Sequence, residues 1–306
     1  MGLTMQKISE DYEDVFTGEG EFQKELHLEV DETISPVKQP VRRIPIAMKS
    51  KLKEELIRLE QLGVIKPVDT PTDWVSSLVL VKKPSGKLRV CIDPKPLNKA
   101  LKRSHYLLPV IDDLLPELSK AKIFSVCDIK NGFWHVRLDE ESSHLTTFGT
   151  PFGRYRWLKM PFGISPAPEY FQHRLDQAIE GLPGVQTVAD DILICGEGNT
   201  MEDAVQDHDK KLLALLDRCR KNGLKLKKDK FKLKMTEIPY VGHLLTQGGL
   251  KPDPSKVEAV RKMPRPTDVK GVQRLIGLVN YLTRFLDKLA DICEPLRQLT
   301  HKDTEW

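Results

Sequence analysis

The 306-residue sequence contains no run of about 18 apolar residues, the length a helix needs to cross a bilayer. Its N-terminus lacks the charged-then-apolar pattern of a secretory signal, so nothing in it argues for secretion. Cysteine is scarce. Cys91, Cys127, Cys195, Cys219 and Cys293 are odd in number, widely spaced, and form no C-x-x-C. That pattern argues against a disulfide framework or structural zinc and suits a reducing compartment. Cys91, Cys127 and Cys195 fall in strand-like runs, where Cys acts as a small core residue. Internal repeats and low-complexity tracts are also missing.

What is present has the apolar and charged fractions of a globular protein, 40% and 30%. The chain is too long for one ordinary core, so two or three lobes are expected. The net charge of +4 is mild but unevenly spread. Residues 1–35 are acidic, with Glu10, Asp11, Glu13, Asp14, Glu19 and Glu21 among ten acids. From Pro36 to Val110 the balance reverses, with Arg42, Arg43, Lys82, Lys83, Lys87 and Arg89. A second basic block runs from Arg218 to Lys234. One such run is usually a solvated face. Two of them flanking an acidic centre favour a polyphosphate or nucleic-acid track.

That acidic centre is Asp190-Asp191, set between the strand-like runs Val185 to Ala189 and Ile192 to Cys195. One Asp in a tight turn needs no explanation beyond its local backbone bonding. Two adjacent carboxylates repel unless a cation lies near. A third, Asp128, ends the apolar run Ile123 to Cys127, just before Asn131-Gly132. Three strand-end carboxylates match the hard oxygen donors that Mg²⁺ takes, and could hold two ions.

Around this centre the pattern predicts a helix over 47–62, with Leu52, Leu56, Leu59 and Leu62 on one face and Gly63 as its stop. Strands follow over 74–81 and 87–92, joined by a Pro84-Ser85-Gly86 turn. Phe148 to Trp157 reads as a hairpin. A proline-rich loop, 158–168, leads to a helix ending at Gly181, and 203–222 reads as another helix. Tyr240 to Leu245 reads as one strand, and Gly248-Gly249, Pro252 and Pro254 as a linker. Helices are then expected over 255–261 and 267–290, the second with Thr267 as N-cap.

Together these blocks resemble the reverse transcriptase domain of LTR retrotransposons of the gypsy-like type, over about residues 41–306. The resemblance rests on Trp74-Val75-Ser76-Ser77, Leu88 to Asp93, Leu97-Asn98, Phe124 to Phe133 and Met160-Pro161-Phe162-Gly163. It rests also on Phe171-Gln172, Ala189-Asp190-Asp191, Tyr240-Val241-Gly242-His243 and Asn280-Tyr281-Leu282. It implies an α+β right-hand polymerase with fingers, a palm of antiparallel sheet plus helices, and a helical thumb. The implied divisions are an acidic lead (1–40), fingers (41–103 and 136–166), palm (104–135 and 167–246), and thumb with the start of the connection (247–306).

The resemblance further implies that Asp128, Asp190 and Asp191 are the catalytic, metal-binding carboxylates, with two Mg²⁺ ions (Mn²⁺ as alternative). Lys82 or Lys83, with Arg89, would meet the incoming triphosphate. Phe133 would select deoxyribose; read by itself it is a core aromatic. Phe162 and Gly163 would back the nascent pair, and Gln172 would support the template side. Lys230 would protonate pyrophosphate; read by itself it is solvated surface. The implied activity is RNA- and DNA-directed DNA synthesis from a primer. Implied partners are a template–primer, deoxynucleoside triphosphates, downstream ribonuclease H and integrase domains, and a dimer partner. The implied setting is a cytoplasmic virus-like particle with nuclear access open. Family members usually carry Tyr where this chain has Val188. That departure keeps open a catalytically degenerate nucleic-acid-binding subunit with the same fold. An RNA-copying polymerase or a nucleotide cyclase is a further alternative on a palm fold. The chain is expected to be an excised piece of a longer polyprotein.

Overall fold

The computed structural model describes residues 2–83, 86–118, 120–286 and 288–301. The strands are β1 Ile65–Val68, β2 Ser76–Lys82, β3 Leu88–Asp93, β4 Ala121–Asp128, β5 Phe148–Thr150 and β6 Gly153–Trp157. They continue as β7 Val185–Val188, β8 Asp191–Glu197, β9 Lys232–Met235, β10 Glu237–Tyr240, β11 His243–Thr246 and β12 Gly249–Pro252. Three sheets form, ordered β1-β6-β5-β2-β3, β7-β8-β4-β9 and β10-β11-β12. Helices pack beside the first two, and the C-terminal part is helical. One mixed sheet and two antiparallel sheets, with helices beside them and a helical tail, give the α+β class that the sequence led us to expect.

The helix Ile46–Gln61 follows its leucine spacing: Leu52, Leu56 and Leu59 are fully buried. Leu62 is not on that face. It caps the helix and is exposed, because the chain turns away at Gly63, whose φ is +65°. Of the Pro84-Ser85-Gly86 turn, Pro84 and Ser85 lie outside the described residues. The flanking strands pair as expected, Lys82 opposite Leu88. The helix Met201–Asn222 begins with a capping box at Thr200 and stops at Gly223, φ +70°.

The central four-stranded sheet is antiparallel throughout. Its strands β4 and β8 are long apolar runs buried on both faces. One face meets a core that includes Phe171, Leu175, Leu212 and Leu216; the other meets a smaller cluster around Phe124, Ile238 and Tyr240. Ile8, Val15, Phe22, Leu26 and Leu28 join the larger core, so the acidic N-terminal stretch is built into this layer. Its acids lie outside the apolar spacing and leave those side chains free to pack.

Three local expectations change. Tyr240 to Leu245 is not one strand: Val241 and Gly242 adopt φ of +46° and +74° and turn the chain into the β10–β11 hairpin. The linker expected from Gly248-Gly249, Pro252 and Pro254 is instead β12, which pairs with β11 through Thr246 and Gly249, and Pro254 opens the helix Pro254–Arg261. Gly and Pro there serve a hairpin and a strand end, positions they also favour. The helix expected over 267–290 is N-capped by Asp268, whose carboxylate accepts from Gly271 N, and ends at Asn280. A 3₁₀ turn, Tyr281–Arg284, follows, and Lys288, φ +60°, separates it from the short helix Leu289–Ile292. Asp287 and residues 302–306 lie outside the described residues. Among the described residues no helix is long and apolar enough to cross a membrane.

Candidate active site

Strand register brings two of the carboxylates together. Asp128 at the end of β4 pairs directly with Asp191 at the start of β8. Asp190 occupies the two-residue turn between β7 and β8, where Val188 pairs with Asp191. The first central residue of that turn, Ala189, has φ +53°. Gly is favoured at such a position, so Ala189 carries backbone strain of about 1 kcal/mol. Gln172 holds it there. Its Oε1 accepts from Ala189 N at 3.1 Å, while its Nε2 donates to Thr187 Oγ1 at 2.9 Å and Asp176 Oδ1 at 2.8 Å. Gln172 is fully buried in the helix Ala167–Ile179. Asp190 O accepts from Ile129 N at 2.7 Å and ties the turn to the end of β4.

The aspartates stand between two hollows. On one side a cleft of about 700 Å³ is lined by Asp190, Lys83, Arg89, Phe162, Gly132 and Lys227, among others. Lys51, Arg58, Lys87 and Lys130 also line it, so basic groups outnumber the acids Glu19, Glu54, Glu55 and Asp190. On the other side Asp128 and Asp191 face a cavity of about 530 Å³ with Lys230, Tyr240, Val241 and Gly242. Gly132 lets the chain pass close to Asp190, because a Cβ there would overlap Asp190 Oδ1 and press on the Phe171 ring unless these side chains moved.

Burial, joined by the neighbouring carboxylates, raises the pKa of Asp190 and Asp191 above the usual range. Asp128 is ion-paired twice. Lys227 Nζ donates to its Oδ1, and Lys230 Nζ lies 2.8 Å from its Oδ2. The pairing raises the pKa of Lys230. Lys227 and Lys230 flank one turn of 3₁₀ helix, where residues three apart eclipse, so both reach one carboxylate. The three carboxylates offer the oxygen donors a divalent ion takes, and two ammonium groups already balance charge there. In kind, the residues fit such an ion. In spacing they are not gathered: among the described residues no group of three or more His, Cys, Asp or Glu is close enough to hold one.

The remaining predicted residues separate. Lys83 is half-buried in the cleft, and burial with nearby Arg89 lowers its pKa. Lys82 is exposed and outside that lining. Arg89 lies 4.7 Å over the Phe162 ring. Gly163, φ +113°, presses against the carbonyl of Ile92, and Asn98 secures the loop by bonding Gly163 O at 2.9 Å and Ser165 N at 2.8 Å. Phe133 is half-buried between Phe162 and Phe171, with ring centroids at 5.2 and 5.7 Å. Gln172 holds the aspartate turn and is not among the cleft-lining residues.

Sequence reasoning did not single out Lys227 or Trp134, which line the cleft, and it named Asn98 and Gly132 only as motif residues without a role in the site. The three-residue spacing of Lys227 and Lys230 was a usable signal for the first. The basic block itself is largely committed to internal acceptors. Arg220 pairs with Asp14, Lys234 with Asp209, and Arg218 with the carbonyls of Ala178 and Glu180. The open basic track that the sequence suggested is correspondingly reduced.

A sheet with carboxylates at its strand ends, a basic cleft above it, an ordered loop before it and a helical tail is the arrangement of the right-hand polymerase fold. Solved structures support that fold. The foamy viral protease–reverse transcriptase in complex with double-stranded DNA matches with TM-score 0.87 at 22% identity, over 96% of this chain and 51% of that one. The same protein in complex with an RNA/DNA hybrid matches with TM-score 0.84 at 21% identity, over 98% and 40%. The profile of the family "Reverse transcriptase (RNA-dependent DNA polymerase)" matches residues 81–245, more than half of the chain, and the chain belongs to that family. It is similar to the retrovirus-related Pol polyprotein from transposon 412 of Drosophila melanogaster, 30% identical over 99% of this chain and 25% of the relative. It is also similar to the enzymatic polyprotein of cauliflower mosaic virus (strain Strasbourg), 33% identical over 88% and 39%. The chain thus spans well under half the length of either relative.

Proposed function

We propose that this chain is the polymerase part of a gypsy-like LTR-retrotransposon Pol polyprotein, and that it extends a primer 3′-end with deoxynucleotides on RNA or DNA templates. The observation that carries the proposal is the register of Asp128 with Asp191 between a cation-lined cleft and the cavity under Tyr240 to Gly242. On this reading the β2–β3 side forms the fingers, the β7-β8-β4-β9 sheet the palm, and residues from 247 the thumb. The cleft beside Asp190 receives the triphosphate, and the cavity beside Asp191 receives the primer end.

Asp128, Asp190 and Asp191 would hold two divalent ions, Mg²⁺ or Mn²⁺, which supply hydroxyl activation and neutralise charge developing on pyrophosphate. Lys83 and Arg89 bind and orient the phosphates; Lys82 is the weaker candidate because it is exposed. Phe162, under the Arg89 guanidinium, supports the base pair, and Phe133 beside it faces the sugar. Lys230 keeps its proton at Nζ, since the Asp128 bond raises its pKa, but it lines the primer-side cavity. Lys227, on the same carboxylate, is the ammonium that lines the triphosphate cleft and is the better placed to give a proton to pyrophosphate. Gln172 acts one step back by fixing the turn that carries Asp190. Most of the rate gain is positioning and electrostatics.

Relatives of the same fold are described in complex with double-stranded DNA and with an RNA/DNA hybrid, which supports a template–primer as partner. Ribonuclease H and integrase partners, dimerisation and a virus-like-particle setting belong to the same proposal. Val188, at the usual Tyr position, and the two lysines on Asp128 favour one second reading, a degenerate binding subunit.

The deciding experiment is primer extension on an RNA template with deoxynucleotides and Mg²⁺, beside Asp190→Asn. We expect extension by the parent chain and its near-complete loss in the variant. Tight template–primer binding with no extension would overturn the catalytic reading in favour of the subunit.

A further inference from the structure

The stretch Gly18 to Phe22 lies outside the residues matched by the family profile, yet it is fastened to both loops beside the cleft. Glu19 Oε2 accepts from Asn131 Nδ2 at 2.9 Å, and its Oε1 lies 3.4 Å from Lys130 Nζ. Lys130 also donates to Gly18 O. Gly20 O accepts from Lys159 Nζ at 3.2 Å, and Glu21 pairs with the same ammonium at 3.2 Å. Phe22 N donates to His135 O at 2.7 Å. Gly20 has no space for a side chain, because a Cβ would overlap the His135 ring. Lys130, Asn131 and His135 belong to the loop that follows Asp128. Lys159 precedes the Pro161-Phe162-Gly163 loop.

Two features make Glu19 more than a packing contact. Its partner Asn131 has φ +50°, a conformation that costs most residues energy and that Asn tolerates best. Asn131 in turn starts the 3₁₀ turn Gly132–His135, which carries Gly132 against Asp190 and Phe133 against Phe162. Glu19 also lines the cleft itself, and its carboxylate is largely shielded from water. A shielded charge bonded to a strained residue constrains that residue strongly.

We propose that Glu19 is a positioning residue: through Asn131 and Lys130 it sets the loop that shapes the nucleotide cleft, and the Gly18–Phe22 strap clamps that loop to the Lys159 loop. The proposal rests on reading the cleft as the triphosphate site. Loss of the clamp weakens nucleotide capture more than turnover.

The test uses the full chain with Glu19→Ala, Glu19→Gln and Gly20→Ala, and Glu10→Ala as an exposed control. Without nucleotide, amide hydrogen exchange over 129–136 should quicken in Glu19→Ala and Gly20→Ala, and stay at the parent rate in Glu10→Ala. With nucleotide, Glu19→Ala should raise KM for deoxynucleotide about tenfold, the effect of one hydrogen bond to a charged group, while kcat changes by less than about threefold. Glu19→Gln keeps an acceptor for Asn131 and should recover most of the loss. Should Glu19→Ala fail to fold, Glu19→Gln still has to quicken exchange around Lys130, whose ion pair it removes. Parent-like exchange in these variants, or equal effects on kcat and KM, overturns the proposal. If the parent chain extends no primer, the site reading fails, and the exchange rates still decide whether Glu19 positions the loop.

Discussion

Asp190 lies against Gly132 with two other carboxylates nearby, and burial is the main reason its pKa is raised. A carboxylate whose folded pKa exceeds its unfolded value binds its proton better in the fold. Above the unfolded value of 3.8 its charge therefore weakens the folded state, increasingly so up to the raised pKa. At neutral pH that weakening is fully present. Asp190→Asn should thus raise the melting temperature at pH 7 in chelator, by about 2–4 °C for each kcal/mol relieved. A thermal melt with an unchanged or lower midpoint would contradict this. On the proposed catalytic reading, activity and stability pull in opposite directions at this residue, as is common at catalytic groups. Asp128 differs, because two lysines already compensate it.

At the scale of elements, the β7–β8 turn depends on a helix elsewhere in the chain. Gln172→Ala would leave Ala189 N without its partner, take one of two bonds from Thr187 Oγ1, which still donates to Asp176, and free a turn residue held at positive φ. We expect a stability loss of about 1–3 kcal/mol in a denaturant melt, together with reduced primer extension. The 3₁₀ turn after β4 has its own sensitivity. Burial holds the His135 pKa down at about 4, so the ring stays neutral, donating from Nδ1 to Gly132 O and accepting at Nε2 from Lys225 N. The unfolded chain takes up that proton first. Stability is therefore full above pH 6.5 and is lost as pH falls from 6.5 towards 4. Buried His208 contributes with the same sign. Denaturation midpoints measured across this window should fall with pH, less steeply in His135→Gln. How these elements meet was partly legible in the sequence. Asp128 at a strand end and Asp190-Asp191 at a turn followed from apolar runs and their breaks. That Gln172 would secure the turn did not, because helix periodicity shows which face is buried but not which amide it meets. The β10–β11 turn was missed for a similar reason: Val241 favours strands, and its positive φ is imposed by the pairing of Tyr240 with His243.

For the whole molecule, the basic groups around the cleft come from the helix Ile46–Gln61, the β2–β3 region, the loop after β4 and the segment before β9. On the proposed reading the outer groups of this basic surface also meet template–primer phosphates, so the logarithm of template–primer affinity should fall linearly with the logarithm of salt concentration. Lys87→Ala should reduce the slope by about 1, and a salt-independent affinity would contradict the reading. Charge reversal along the sequence announced this surface, but not that Asp14, Asp128 and Asp209 neutralise much of the second basic block. The same N-terminal clamp has a kinetic side. Arg220 reaches Asp14 across 206 residues, Tyr12 reaches Asp217 across 205, and Leu226 N bonds Val15 O. These three partners are made only after more than two hundred further residues of the chain. Such long closures slow folding. The apolar residues Ile8 and Val15 stay open to wrong contacts until those partners are made, which makes this stretch prone to misassociation during synthesis.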